Sequence, residues 1–193
     1  SIWVMPTLHP SFLLPRKDSV VKNPARFTGA VMLDILRAIH IRDHGFQRKD
    51  ATYVLDPDPE TFQRWVNDYL RYLEQHPDTP LSWDIETPYK LTGVDEEEYD
   101  QEKWETSIVR GSFAYRPYTG VSFPWFGPYI PLIQKALASM GRKVGWNCDA
   151  FDVPLVRQSG LYINGRIEDH MWAFQIWQSD LPRGLEPVTS YFT

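Results

Sequence analysis

The spacing of hydrophobic residues predicts two amphipathic helices in the first part of the chain. In the first predicted helix, apolar residues recur every four positions on one face: Phe27, Val31, Ile35 and Ile39. The second helix begins after Asp58-Pro59, an N-cap followed by a first-turn proline, and ends before His76-Pro77. Its apolar positions also share one helical face: Phe62, Trp65, Val66, Tyr69, Leu70 and Leu73.

Beyond residue 50, short β-type runs alternate with helical segments. The predicted strands are 51–55, 81–87, 106–113, 120–125 and 143–146, and the further predicted helices are 131–140, 149–159 and 169–178. The strands on either side of the turn at 116–120 are typical of a hairpin. This order predicts an α/β fold with a mixed central sheet flanked by helices.

Charge is distributed unevenly along the chain. Residues 1–50 hold eight Lys and Arg against four Asp, a balance of +4, which leaves −9 for the rest because the total is −5. We therefore expect a boundary in the polar stretch 42–50. A negative total argues against binding duplex nucleic acid through bulk electrostatics.

Composition excludes further classes of protein. Hydrophobic residues make up 42% and charged residues 23%, with no apolar run near the 18 or so residues that a membrane-spanning helix needs. A positive region typical of a signal peptide is not visible at residues 1–14. The lone Cys148 cannot form an intrachain disulfide or a cysteine-based zinc site, which favours a reducing compartment; we interpret it as a small, partly buried residue.

Two carboxylates lie on one predicted strand. Side chains alternate along a strand, so Asp84 and Glu86 share a face and Trp83 and Ile85 share the other. Paired carboxylates of this kind suit Mg²⁺, which prefers oxygen ligands. The Asp-x-Glu pattern occurs four times in the chain, and only this copy lies in an apolar β-run. Exposed edge carboxylates are the alternative interpretation.

A second polar element follows the strand at 143–146. Asn147 lies at that strand's carboxyl end, where open α/β sheets place ligands, and Asp152 lies in the next helix. In this arrangement we expect the side chain of Asp152 to point toward Asp84 and Glu86. The alternative is helix capping by Asn147 or Asp149, with Asp152 favoured by the helix dipole.

Together these two elements resemble the first and second motifs of the DEDD 3'-5' exonucleases. Asp-x-Glu is followed 66 residues after Glu86 by Asn-x4-Asp, and Phe151-Asp152-Val153-Pro154-Leu155 is similar to the proofreading domains of family A DNA polymerases. Over 51–193 the resemblance implies a ribonuclease-H-like fold that hydrolyses the terminal phosphodiester at a single-stranded DNA 3' end. It implies Asp84, Glu86 and Asp152 as catalytic ligands of two Mg²⁺ or Mn²⁺ ions, with Asn147 and Thr87 near the substrate.

The family's third motif is not found. Tyr191 has no Asp four residues later, and Asp169 comes too early, so we interpret Asp169 as a helix N-cap. We therefore expect a domain truncated before its third motif, weak in cleavage by itself, with a polymerase domain C-terminal to it. The implied setting is the cytoplasm of a bacterial cell or phage-infected host, with no membrane partner. The alternative function is a non-catalytic module that keeps the fold and binds DNA ends or proteins.

Residues 1–50 carry a second, partial resemblance. The segment Pro6-Thr7-Leu8-His9-Pro10-Ser11 followed by a helix is similar to the carboxyl end of the iron-sulfur uracil-DNA glycosylases. This resemblance implies that His9 is a remnant of the residue facing the uracil, and that 1–50 is a glycosylase-like fragment with a linker. A turn histidine is the alternative.

Overall fold

A computed structural model describes residues 28–45, 50–87, 107–179, 183–185 and 188–189. His9, Phe27, Tyr191 and the acidic segment 95–105 lie outside these residues, so the expectations placed on them stay predictions. The chain divides into two compact units, one of Asp50–His170 and the other of Ser1–Lys49 with Met171–Thr193. Across the described residues, no helix is both long and apolar enough to cross a bilayer.

The larger unit is built on a six-stranded mixed sheet in the order β1-β4-β3-β2-β5-β6. Strands β2, β3 and β4 are antiparallel neighbours, while β5 runs parallel to β2, β6 parallel to β5 and β1 parallel to β4. The strands are β1 (Thr52–Leu55), β2 (Leu81–Glu86), β3 (Arg110–Ala114), β4 (Thr119–Pro124), β5 (Lys143–Gly145) and β6 (Ile167–Asp169). Three antiparallel strands continued by two parallel ones is the ribonuclease-H-like arrangement, which confirms the predicted fold class.

The helices are α1 (Thr28–His44), α2 (Pro59–Gln75), α3 (Ile130–Leu137), α4 (Asp152–Gln158) and α5 (His170–Trp177), with a short 3-10 helix at Gly127–Tyr129. Asp58 caps α2 as predicted, because its carboxylate accepts the Thr61 N–H at 2.8 Å and Pro59 opens the helix. Phe62, Val66 and Tyr69 of α2 are fully buried. They pack with the inward side chains of the sheet in one hydrophobic core.

Several helix and strand boundaries in the structure differ from the predicted ones. Helix α4 begins at Asp152 rather than near 149, because 149–151 form a turn and Phe151 precedes the helix without a capping side chain. The predicted hairpin is confirmed as β3 and β4, and Tyr118 supplies the left-handed turn residue with φ 60°. Strand β6 was not predicted, since Ile167–Asp169 has three residues and no alternating pattern.

Candidate functional site

Strand β2 presents its two carboxylates away from the core. Leu81, Trp83 and Ile85 are buried, whereas Asp84 and Glu86 on the other face are exposed. The pKa of Asp84 is raised, first because neighbouring protein partly desolvates its carboxyl group and second because Glu86 carries a like charge. Asp84 and Glu86 therefore form the electrostatically coupled pair that the strand pattern predicted.

Asp152 lies against the same strand, although 66 residues separate it from Glu86. The parallel pairing of β2 with β5 ends at Ser82 and Val144. Beyond it, Asp152 Oδ1 accepts the backbone N–H of Ile85 at 3.0 Å. Only 3% of Asp152 is exposed. Burial raises its pKa to about 7, and the charge of Asp84 contributes to that rise, so the two carboxylates are within electrostatic reach.

The loop between β5 and α4 has a constrained backbone. A Cβ atom at Gly145 would come within 2.5 Å of the Cys148 Cβ, which no ordinary side chain tolerates, so glycine is required there. Asn147 adopts a left-handed φ of 58°, a region in which Asn is enriched. These features turn the chain sharply before α4.

Asp169 holds this loop in place. Its carboxylate accepts the N–H of Asn147 at 2.9 Å and the N–H of Asp149 at 3.1 Å. Asp169 directly precedes α5, where the sequence placed an N-cap, but these two bonds go to the β5–α4 loop. This role could not be predicted from the sequence, because it depends on β6, which lies beside β5 and was not predicted.

Asn147 and Thr87 lie at the same end of the sheet as the carboxylates. Thr87 directly follows β2, and Asn147 comes two residues after β5. Since β2 and β5 are parallel, their carboxyl ends meet at one edge. Both residues are half-buried. Their roles toward a substrate stay predictions.

Arg110 also belongs to this face of the sheet and was not singled out from the sequence. It pairs in register with Glu86, and side chains opposite each other in a ladder share a face. Its guanidinium donates to Ser122 Oγ at 3.0 Å and forms an ion pair with Asp56. Arg110 is therefore held toward β4 and β1.

The donor set fits a hard divalent cation in its chemistry. Asp84, Glu86 and Asp152 offer carboxylate oxygens, the ligands that Mg²⁺ and Mn²⁺ accept. Burial is the main cause of the raised pKa values of Asp84 and Asp152, and a cation would relieve the like-charge repulsion that adds to it. Their arrangement is open, however. Within 28–45, 50–87 and 107–179, no group of three or more His, Cys, Asp or Glu is placed to hold a metal ion. Binding would require the three side chains to close on the ion.

Comparison with known proteins finds similarity among solved structures only. No protein-family model and no curated protein matches the chain. RNase D from Trypanosoma brucei in complex with GMP aligns at 15% identity and a TM-score of 0.45, covering 64% of this chain and 35% of the other. The EXD2 exonuclease domain soaked in Mg and GMP aligns at 18% identity and 0.47, covering 70% and 65%.

The EXD2 exonuclease domain without a soak aligns at 20% identity and a TM-score of 0.44, covering 70% of this chain and 66% of the other. A further structure of that domain was soaked in Mn and Mg. This chain thus spans about a third of the RNase D chain and just under two thirds of the EXD2 chains. These similarities concern the fold alone. The candidate site is defined only by contacts within this chain.

Proposed function

We propose that the chain is the metal-dependent 3'-5' exonuclease part of a larger replication or repair protein, acting on single-stranded DNA ends. The observation that supports it is the contact of Asp152 with Ile85, between the two residues that carry outward carboxylates on β2. A carboxylate from the second sequence motif thereby joins the two of the first motif at one edge of the sheet.

Each residue has a distinct part in this proposal. Asp84 and Glu86 present oxygens from a rigid strand, and Asp152 presents its second oxygen while Oδ1 stays bonded to the Ile85 N–H. Asp169 holds the backbone of Asn147 at the same end of the sheet, and in this proposal the Asn147 amide orients the terminal nucleotide. Bound Mg²⁺ or Mn²⁺, two ions in the proposed scheme, would activate water and stabilise the leaving 3' oxygen.

A second candidate function is a non-catalytic module that binds DNA ends and retains the fold. The observation that favours it is the open arrangement of the carboxylates, which form no ready ligand group among the described residues. This alternative predicts binding of a 3' end without release of nucleotides.

The test is a single-turnover cleavage assay with protein in excess over a 5'-labelled single strand, so that slow shortening is detected. We expect a ladder of products shortened from the 3' end with Mg²⁺ or Mn²⁺ and none with EDTA. Asp84→Asn, Glu86→Gln and Asp152→Asn keep side-chain shape and should each abolish the ladder. Asp149→Asn, an exposed residue of the same loop, is the matched control and should retain it.

Two results decide between the functions, and a third concerns the nucleic acid. Cleavage that persists in EDTA or in the Asp152→Asn variant would overturn the proposal. Strand binding that depends on Asp84 without any product would favour the non-catalytic module. A parallel RNA strand of the same sequence tests the choice of DNA.

A further inference from the structure

A polar cavity lies on the larger unit, away from the carboxylates. Its volume is about 350 Å³, which is in the range of small-molecule sites. We call it the Arg116 pocket, and it is lined by Asp68, Arg71, Tyr72, Gln75, Tyr115 and Arg116. The first four lie on one stripe of α2, at positions i, i+3, i+4 and i+7, and the last two follow β3.

The Arg116 pocket is separate from the candidate site. In the antiparallel ladder, Arg110 pairs with Glu86 and Ala114 pairs with Ser82, so Tyr115 lies beyond the opposite end of β2. Four residues of strand separate the two ends, roughly 13 Å. Tyr115 also packs against α2, with its ring 5.0 Å from that of Trp65 and 5.4 Å from that of Tyr69. These are the rings of the core side, whereas Asp84 and Glu86 face away from the core.

The guanidinium of Arg116 is stacked on two tyrosines. It lies 4.1 Å from the ring centroid of Tyr72 and 5.0 Å from that of Tyr115. Arg71 is paired with Asp68, but no carboxylate among the described residues forms an ion pair with Arg116. The pocket therefore keeps one uncompensated positive charge on a flat group held by aromatic rings.

The floor of the pocket is well supported. The rings of Tyr72 and Tyr115 lie 5.5 Å apart, and Tyr72 also contacts the His76 ring at 4.4 Å. Burial raises the pKa of the Tyr115 phenol, so it stays neutral and can donate a hydrogen bond at physiological pH. Such preorganisation reduces the entropy that a ligand must overcome on binding.

We propose that the Arg116 pocket binds a nucleotide, either free or within a single strand. Arg116 is exposed, and Tyr72 and Tyr115 lie against its guanidinium. The part of the guanidinium plane that the two rings leave open would stack on a base. The edge donors of the Arg116 guanidinium match a phosphate in bidentate geometry. The Gln75 amide supplies one donor and one acceptor for a base edge. A simple carboxylate would pair with the charge of Arg116 but would not stack on the plane of its guanidinium.

The test measures binding of adenosine 5'-monophosphate and of a fluorescent ten-nucleotide oligothymidylate to the full chain in EDTA, which removes any contribution from divalent ions. We expect Arg116→Ala to weaken binding at least about fivefold, the smallest effect of losing one stacked base. Arg116→Lys keeps the charge but not the plane and should weaken it similarly. Arg64→Ala removes an exposed arginine of α2 outside the pocket and should leave binding unchanged.

Further measurements distinguish which part of the nucleotide is recognised and whether the ligand is a free nucleotide or part of a strand. Adenosine and inorganic phosphate should each bind more weakly than the mononucleotide, and tighter binding of the oligonucleotide would identify a strand as the source. Because binding is measured in EDTA, absence of the proposed metal-dependent cleavage would leave the result unchanged, which keeps this proposal independent of the exonuclease activity. Equal losses in Arg64→Ala and Arg116→Ala, full affinity in Arg116→Lys, or no binding of either probe at millimolar concentration would overturn it.

Discussion

Helices α1 and α2 each have 17 residues and an apolar face that recurs at helical spacing, yet they differ in what covers that face. In α2, Phe62, Val66 and Tyr69 are fully buried in the core. In α1, Val31 is buried, but Ile35 and Ile39 are 46% and 41% exposed. The hydrophobic spacing predicts both helices correctly and does not predict their burial.

The difference follows from the sequence around each helix. α2 is flanked by β1 and β2, whose inward residues supply a partner surface, and Asp58 caps its first turn. On α1, in contrast, Met32, Ile35 and Leu36 are exposed, so much of the apolar surface of this helix is accessible to water. Residues 50–170 thus hold both a complete core and every candidate ligand of the proposed site.

The largest effect that separates the two regions is on metal binding. Asp84→Ala combined with Glu86→Ala should abolish Mn²⁺ binding and reduce any cleavage at least about a thousandfold, because two of the three proposed ligands are lost. Removal of residues 1–49 should leave Mn²⁺ affinity unchanged, since no proposed ligand lies there. Calorimetric titration measures both. Unmodified Mn²⁺ affinity in the double variant, or its loss in a truncated chain that circular dichroism shows to be folded, would contradict the comparison.

Core packing gives the next effect. Phe62→Ala should lower the free energy of unfolding by about 3–5 kcal/mol, because the ring fills the core beside Phe123 at 4.4 Å and leaves a cavity when removed. Ile35→Ala on α1 should lower it much less, by about 1 kcal/mol, since 46% of this residue is exposed. Urea denaturation of both variants provides the measurement. Similar losses for the two would show that α1 has a packed partner.

Part of the candidate site could be predicted from the sequence. Alternation of apolar and polar residues places Asp84 and Glu86 on the outward face of β2, and the structure has them there. The strand-to-helix change places Asp152 after β5, and its contact with Ile85 agrees with that order. Both predictions depend on local periodicity, which a single sequence displays.

The remaining features depend on contacts between residues far apart in the sequence, which local patterns do not show. Asp169 bonds the loop at Asn147 only because β6 lies beside β5, and a three-residue strand has too few positions to show alternation. The Arg116 pocket likewise joins α2 to the end of β3 across the fold. A turn at 149–151 rather than a longer helix is also a tertiary effect, since the loop's backbone donors are satisfied by Asp169.

Asp169 provides a prediction of intermediate size. Asp169→Ala removes the acceptor of two loop N–H groups and should lower the free energy of unfolding by about 1.5–3 kcal/mol. It should also weaken Mn²⁺ binding, because the loop sets the position of Asp152. Asp43→Ala on α1 removes an exposed ion pair with Arg42 and should change stability by less than about 1 kcal/mol. An unchanged Mn²⁺ affinity in Asp169→Ala would limit this residue to a structural role.

The smallest expected effect is on the pH dependence of stability, and it comes from two buried titratable groups of the larger unit. Lys143 is fully buried, and its Nζ donates to Ser139 O at 2.8 Å and Gly141 O at 2.7 Å, yet burial lowers its pKa to about 8. Cys148 is also fully buried, and burial raises its pKa to about 12. Between pH 8 and 9.5 the unfolded lysine keeps a proton that the folded one loses, which makes stability rise with pH. The unfolded thiol loses a proton that the folded one keeps, which makes stability fall.

These opposite slopes should nearly cancel in the unmodified chain and separate in variants. Cys148→Ala leaves the lysine contribution, so its free energy of unfolding should rise from pH 8 to 9.5, by at most about 1.4 kcal/mol per pH unit for one proton. Lys143→Met leaves the thiol contribution, and its stability should fall over the same range. Urea denaturation at half-unit steps measures both slopes, and staying below pH 9.5 limits titration of unfolded tyrosines. Slopes of the same sign in both variants would show that one of these groups is not buried in the folded chain.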